Sequence, residues 1–368
     1  VFEGNSGLDR YSFSQNWAGA ASADLDCTTG NRLSYNTNTY TPINTKNILA
    51  FNSGTTSTYG QASNRRQSVM VNGLEVISDN SFTGYTGVTS RFYLGDNESG
   101  GDAPNNPFTG DLAEVIIFTA ALNTNERLQV ETYLAIKYGI TLDNSNGGTD
   151  GDYLASNGAT TVWDASVNNQ YHNNVIGIGR DDNEALNQKQ SHTDDDTTRV
   201  YVSALTVTNQ ANGGSIANDI SYVLVGDDNG VMCSSTSSLS EMPGGCGIFS
   251  RIEREWKVTK TNFGQSFNAD FSLNACGDPG IVNITDLRLL IDDDGDFSNG
   301  GTSCYFNGDG SGIVISYSNP VITVSNISNT HVANNSTRYA TIASVNSSTP
   351  LPIELLNFKA TPINNNYV

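Results

Sequence analysis

Basic residues are scarce in this chain: 18 Lys and Arg stand against 38 Asp and Glu over 368 residues, a formal charge of −20. A surface of that sign repels phosphate backbones and anionic lipid headgroups, so nucleic-acid partners are not expected. No apolar run approaches the 18 or so residues of a membrane-spanning helix, so membrane insertion through a helix is not expected either. There are only three histidines, His172, His192 and His331, and they are scattered. No H-E-x-x-H, G-x-S-x-G or G-x-x-x-x-G-K-[ST] pattern occurs, which removes the sequence basis for a zincin, an α/β-hydrolase or a P-loop NTPase. Only 15% of residues are charged. The remaining polarity comes from Asn, Ser, Thr and Gly, a mixture that suits short strands joined by many turns.

What is present can build cores. Hydrophobic residues make up 37%, with 16 Tyr and 14 Phe, too many for a disordered chain. The length suggests more than one domain. Val69–Ile77 reads as a hairpin about Asn72-Gly73, which supplies the positive φ angles of a tight turn. Arg91–Gly95 and Gly110–Phe118 read as further strands. One helix is expected over residues 123–138. Asn123 and Glu126 form a capping box, Val130, Tyr133, Leu134 and Tyr138 make an apolar stripe, and Gly139 stops the helix. The polar run 143–151 marks a boundary. Beyond it, strands are expected at Arg199–Leu205, Ser221–Val225, Arg251–Lys260, Ala269–Leu273, Asp286–Ile291, Gly312–Tyr317 and Arg338–Val345. The fold class is therefore all-β: two β-sandwich domains, at residues 1–142 and 143–350, with one boundary helix and a linker or further β start at 351–368.

Five cysteines stand at 27, 233, 246, 276 and 304. None makes a C-x-x-C pair, so zinc is not expected. Cys233 and Cys246 bracket a Ser/Gly/Pro-rich loop and are expected to bridge it. Cys276 and Cys304 flank a strand-like segment and are candidates for a second bridge. Cys27 is left as a buried thiol or a partner for sequence elsewhere. Disulfides of this kind point to an oxidising, extracellular setting.

Candidate chemistry is thin. Glu253 and Glu255 fall on one face of an expected strand, but Arg251 and Lys257 extend that face, which favours a solvated run of alternating charge over a glycosidase pair. Gly177–Asp182 can be read as a ligand or metal loop, but fits better a turn in which Gly allows close packing and Arg180 pairs with a neighbouring carboxylate. Trp17, Trp163 and Trp256 are candidate sugar platforms. Trp256 suits a core strand and Trp17, in a polar loop, suits an exposed ligand-binding position. The sharpest pattern is Asp292-Asp293-Asp294-Gly295-Asp296, in which Asp292, Asp294, Asp296 and Asn299 can converge on a structural calcium ion. The alternative is a hydrated Asp-Gly turn, since the EF-hand order is not met.

Phe108–Phe118 and the Val71-Asn72-Gly73 hairpin resemble the C-terminal part of a concanavalin A-like (laminin-G-like) jelly roll. The helix ending in Tyr133–Leu142 resembles the junction into a second β domain of unassigned activity in large surface proteins of Bacteroidota. That second domain is echoed in Val162-Trp163-Asp164, Tyr171–Ser191 and Arg254-Glu255-Trp256-Lys257-Val258. Leu351–Phe358 resembles the linker ahead of the sorting domain of type IX secretion cargo. The resemblance implies an internal piece of a longer polypeptide, secreted or held at the cell surface, without catalytic residues of its own. Its implied roles are adhesion or binding of a glycan or cell-surface polysaccharide. A ligand-free structural spacer and a binding appendage of a polysaccharide-degrading enzyme are the other readings.

Overall fold

Alternating apolar residues pair into antiparallel ladders throughout the described strands. The computed structural model describes residues 45–55, 65–82, 110–143, 151–233, 241–274 and 282–346, with the shorter stretches 2–3, 10–17, 20–25, 32–36, 39 and 91–92. These divide into two units. The first holds Val1–Ala135 and Leu142–Val167, the second Ile136–Thr141 and Asn168–Val368. The division falls within the helix and again after Val167, so residues 143–167 go with the first unit.

The first unit contains strands β1 (Phe2–Glu3), β2 (Arg10–Trp17), β3 (Ala20–Leu25), β4 (Arg32–Asn36), β5 (Leu49–Thr55), β6 (Arg65–Val71), β7 (Leu74–Phe82) and β8 (Arg91–Phe92). They form one sheet of order β4-β3-β2-β1-β8 and another of order β5-β6-β7. Leu33 and Tyr35 of β4 pack on Val69 and Val71 of β6 to make its core. As expected, β6 and β7 turn at Asn72 and Gly73, with φ of 50° and 90°. Asn72 also receives the Ile48 N–H at 2.8 Å on its side-chain oxygen.

Helix α1 (Thr124–Tyr138) begins with the expected capping box. The Asn123 N–H donates to Glu126 (2.8 Å) and the Glu126 N–H to Asn123 (3.0 Å). Gly139 follows with φ 65°. The buried face differs from the expected stripe. Val130, Tyr133, Leu134 and Tyr138 are half-buried, whereas Arg127, Leu128, Glu131, Thr132, Ala135 and Ile136 are buried. Polar contacts decide the rotation. Arg127 donates to the Gly73 carbonyl at the hairpin turn (3.1 Å) and pairs with Glu131, and Thr132 accepts the Leu154 N–H at 2.7 Å. The run Gly110–Phe118, expected as a strand, carries no regular structure. Leu112, Val115, Ile116, Ile117 and Phe118 are exposed there. β-propensity makes no strand without a neighbouring edge to pair with, and no described strand supplies one. Strands β9 (Tyr153–Leu154) and β10 (Thr161–Trp163) close the unit as a small ribbon.

The second unit is a β-sandwich. One sheet contains β11 (Asn173–Asp181), β12 (Leu186–Gln188), β15 (Ser221–Asp227), β16 (Ser250–Arg251), β17 (Trp256–Thr261), β19 (Leu287–Asp292), β20 (Ser303–Tyr305) and β23 (Thr337–Ser344). Its order is β12-β11-β15-β17-β23-β19-β20, with β16 added to β23. The other contains β13 (Gln190–His192), β14 (Thr198–Tyr201), β18 (Phe267–Ser272), β21 (Val314–Ser318) and β22 (Val321–Ile327), in the order β13-β14-β18-β22-β21. Val223, Val225, Trp256, Val258, Leu289, Ile291 and Ile342 of the first sheet meet Val200, Phe267, Phe271, Ile322 and Val324 of the second in one core. The all-β fold with one long helix among the described residues agrees with the sequence.

The cysteines pair differently from the expectation. Cys246 is bonded to Cys304, 58 positions away, with Cα atoms 6.3 Å apart. Cys233 is also disulfide-bonded, but not to Cys246. Cys27 and Cys276 lie outside the described residues. Topology is the reason. β16 runs antiparallel onto Ala343 and Ser344 of β23, β23 pairs with β19, and β19 with β20, which carries Cys304. This brings the 241–249 loop to the face where Ile248, Cys304 and Tyr339 pack on Leu290, Phe297 and Ala343. A linear reading of spacing does not see that ladder.

Gly177–Asp182, expected as a turn, is mostly strand β11, and its glycines work by closeness. A Cβ on Gly179 would sit 2.4 Å from the Tyr222 ring and 3.0 Å from the Ser221 carbonyl. We expect Gly179→Ala to destabilise by about 1–3 kcal/mol through overpacking. Gly264→Ala, where nothing lies within 4 Å, should be nearly neutral. Denaturant melts of the two variants check this; equal stability contradicts it.

Candidate functional site

The charged run 251–257 was expected to face water. It does not: Arg251, Arg254, Glu255 and Lys257 are all buried, at 5–7% exposure. Residues 253–255 leave the strand between β16 and β17, at a rim where Arg254 meets Asp227 at the end of β15 and Thr197 just ahead of β14. Burial of so many charges requires partners for each, and the rim supplies them in two groups.

Arg254 centres the first. Its Nη1 donates to Thr197 (2.9 Å), Asp195 (3.1 Å) and Asp227 (3.3 Å), and its Nε to the Gly230 carbonyl (2.6 Å). Asp227 ends β15 and is 1% exposed; it also accepts from Asn174 (3.0 Å) and the Asn229 N–H (2.8 Å). Burial raises the pKa of Asp227 despite the pull of Arg254. Burial also works to raise Asp195, but hydrogen bonds from Thr193, Thr197 and Arg254 outweigh it and hold that carboxyl below its ordinary value.

Arg251 centres the second. It bonds Glu255 at 2.9 Å and Glu241 at 3.0 Å. The Tyr171 hydroxyl donates to Glu255 at 3.0 Å. The Tyr171 and Tyr339 rings lie 5.0 Å apart, with the Lys257 ammonium 5.8 Å and 5.2 Å from their centres. Burial, and then the neighbouring Glu241 carboxyl, push Glu255 up to about 8 against the opposing pull of Arg251. A glycosidase pair of Glu253 and Glu255 has no geometric basis, because the two do not stand on one strand.

A third group lies at the far end of β11. Asp181, fully buried, accepts the Tyr222 hydroxyl at 2.6 Å. Burial and the Asp181 charge push Glu184 up to about 8. Arg180 makes the expected ion pair, with Asp182 at 2.7 Å.

The acidic loop after β19 closes on itself. Asp292 accepts the N–H groups of Asp294 (2.9 Å) and Gly295 (2.7 Å) and the Thr302 hydroxyl (2.7 Å). Asp294 accepts the Asp296 N–H (2.9 Å) and the Asn299 amide (2.8 Å), and Asp296 accepts from Ser298. These donors pull the Asp294 pKa down and offset much of the mutual repulsion. Carboxylate oxygens of Asp292, Asp293 and Asp294 lie within 4.8 Å of one another. Asp293 therefore joins the group in place of the expected Asp296 and Asn299.

Trp163 and Trp256 are core residues at 1% exposure and offer no sugar platform. Trp17 ends strand β2 and is not in a loop; its side chain lies outside the described residues. The linker-like Leu351–Phe358 also lies outside them. Sequence reasoning missed Tyr171, Asp195, Asp227, Glu241 and Arg254. The one local signal was a cluster of charge directly preceding a core tryptophan.

Glu255 and Glu184 shift the same way. Each has a folded pKa near 8 above an ordinary value of 4.5. Their stabilising contribution is therefore complete below about 4.5 and is lost as pH rises through about 8. The melting temperature should fall as pH rises from about 5 to about 8, and fall less steeply when Glu255→Gln and Glu184→Gln are combined. Thermal melts across that window decide it; identical slopes contradict the assignment.

No curated protein and no solved structure matches this chain. One family does, over residues 126–329, which is more than half of the chain. The chain belongs to the family described as a domain of unknown function, DUF8202.

Proposed function

We propose that this chain is a non-catalytic module of a secreted or cell-surface protein of the type IX secretion kind, adhesive or carbohydrate-binding. The observation that carries the reading is the way the second unit spends its chemistry. The buried carboxylates and cations of its rim are tied to one another, a pattern that stabilises and does not turn over a substrate. The Cys246–Cys304 disulfide supports an oxidising compartment. The jelly-roll resemblance and Trp17 make a glycan the ligand class of choice, and other domains of a longer polypeptide its neighbours. Asp292, Asp293 and Asp294 supply three hard oxygen donors, which supports calcium as a structural ion at that loop.

The closed rim also favours a second reading, a spacer with no ligand of its own. A glycan array probed with the whole chain, in calcium and in chelator, separates them. Saturable binding that weakens in Trp17→Ala supports the binding module, and loss of binding in chelator and in Asp294→Ala supports calcium. A blank across plant, algal and host glycans leaves the spacer.

A further inference from the structure

Trp256, Val258 and Lys260 occupy alternate positions of β17 and therefore share a face. The first two lie in the sandwich core, and Lys260 follows them inward at 1% exposure. A buried ammonium is costly without a counter-charge, yet no carboxylate pairs with Lys260 among the described residues. Its Nζ donates to the side-chain oxygen of Asn329 at 2.5 Å and reaches the Gln265 carbonyl at 3.4 Å. The Phe263 ring centre lies 5.6 Å away. Burial pulls the Lys260 pKa down to about 8, so part of the population carries a neutral, nucleophilic amine near neutral pH.

Asn329 stands just after β22, in the opposite sheet. Its Nδ2 donates to the Gly264 carbonyl at 2.9 Å, which fixes the amide plane and turns Oδ1 toward Lys260. Asn329 itself is exposed. The neighbouring titratable group is His331. Burial holds its ring below the ordinary imidazole range against the opposing pull of a Ser311 backbone hydrogen bond and the Asp309 carboxylate, the Lys260 charge adds to the lowering, and its Nδ1 accepts the Ser328 N–H at 3.0 Å.

We propose that Lys260 and Asn329 are a self-modification pair that joins as an intramolecular isopeptide bond. Neutral Nζ attacks Cγ of Asn329, and a new C–N bond forms while the carbonyl oxygen takes up negative charge. A proton passes from the attacking nitrogen to the departing amide nitrogen. The Cγ–Nδ2 bond then breaks and ammonia leaves through the exposed side of Asn329. One amine and one carboxamide become one secondary amide and one ammonia, with no oxidant, metal or cofactor consumed. Fixed approach of the two groups replaces a bimolecular encounter, the effect that makes intramolecular reactions fast. The link spans 69 positions and ties the two sheets covalently. Unlike the disulfide, it withstands thiols.

The test is the intact mass of the reduced, denatured whole chain, followed by peptide mapping. The expected result is a mass about 17 Da below that of the sequence, the loss of one ammonia, with Lys260 and Asn329 recovered in one branched peptide. Lys260→Met and Asn329→Ala should each show the full mass of its own sequence. A wild-type chain at full mass with linear peptides overturns the proposal and leaves a hydrogen bond. A loss of about 17 Da with linear peptides overturns it as well, because an Asn succinimide also expels ammonia.

Discussion

One buried guanidinium holds the rim of the second unit together. Arg254 reaches Asp227 at the end of a strand of the larger sheet and Thr197 just ahead of a strand of the smaller one. It thus binds both layers at once. The next residue but one repeats the device, since the Trp256 indole N–H donates to Thr198 at 2.9 Å across the same core. Thr197 in turn accepts the Ser272 N–H on its carbonyl at 2.7 Å, which continues the connection into β18. Desolvation makes this arrangement demanding: a buried charge stripped of its partner costs far more than the pair gains by forming. Arg254 and Asp227 are consequently a pair that must be present together, and the exposed Asp195 adds a second carboxylate to the same guanidinium.

The same economy governs the face beside it. Arg251 bridges Glu255 and Glu241, and Glu241 opens the described loop that the Cys246–Cys304 bond fastens to β20. An ion pair and a covalent bond thus secure one short segment over Leu290, Phe297 and Ala343. Polar groups used in this way fix the position of a loop and leave little free to act on a substrate.

Local signals were legible wherever local chemistry decides the outcome. Asn72-Gly73 announces its turn because few other pairs tolerate two positive φ angles. Asn123 and Glu126 announce the helix start because each satisfies the other's N–H. Period-two runs gave β15, β17, β18, β19 and β23 of the sandwich, but neither β11 nor β22. What failed depended on partners distant in sequence. Charges at 251–257 look solvated until Asp195, Asp227, Glu241 and Tyr171 are seen to surround them. Cys246 looks destined for Cys233 until the β16-β23-β19-β20 ladder is laid out. Gly110–Phe118 has strand composition but no described edge to pair with, and Gly177–Asp182 looks like a turn because its glycines are there to admit Tyr222, not to bend the chain. The acidic loop was found from sequence, but its hydrogen-bonded closure was not, since Asp caps its own backbone as readily as it binds a cation.

The claim that Arg254 and Asp227 lock the rim as a pair is tested most directly by a double-mutant cycle. Arg254→Met, Asp227→Asn and the double variant would be unfolded in denaturant under identical conditions. The double variant should lose less than the two singles combined, with a coupling on the order of 1–3 kcal/mol, because the second change removes a charge the first left stranded. Losses that add to within about 0.5 kcal/mol would show that the two side chains act independently, and the rim would not be the lock described.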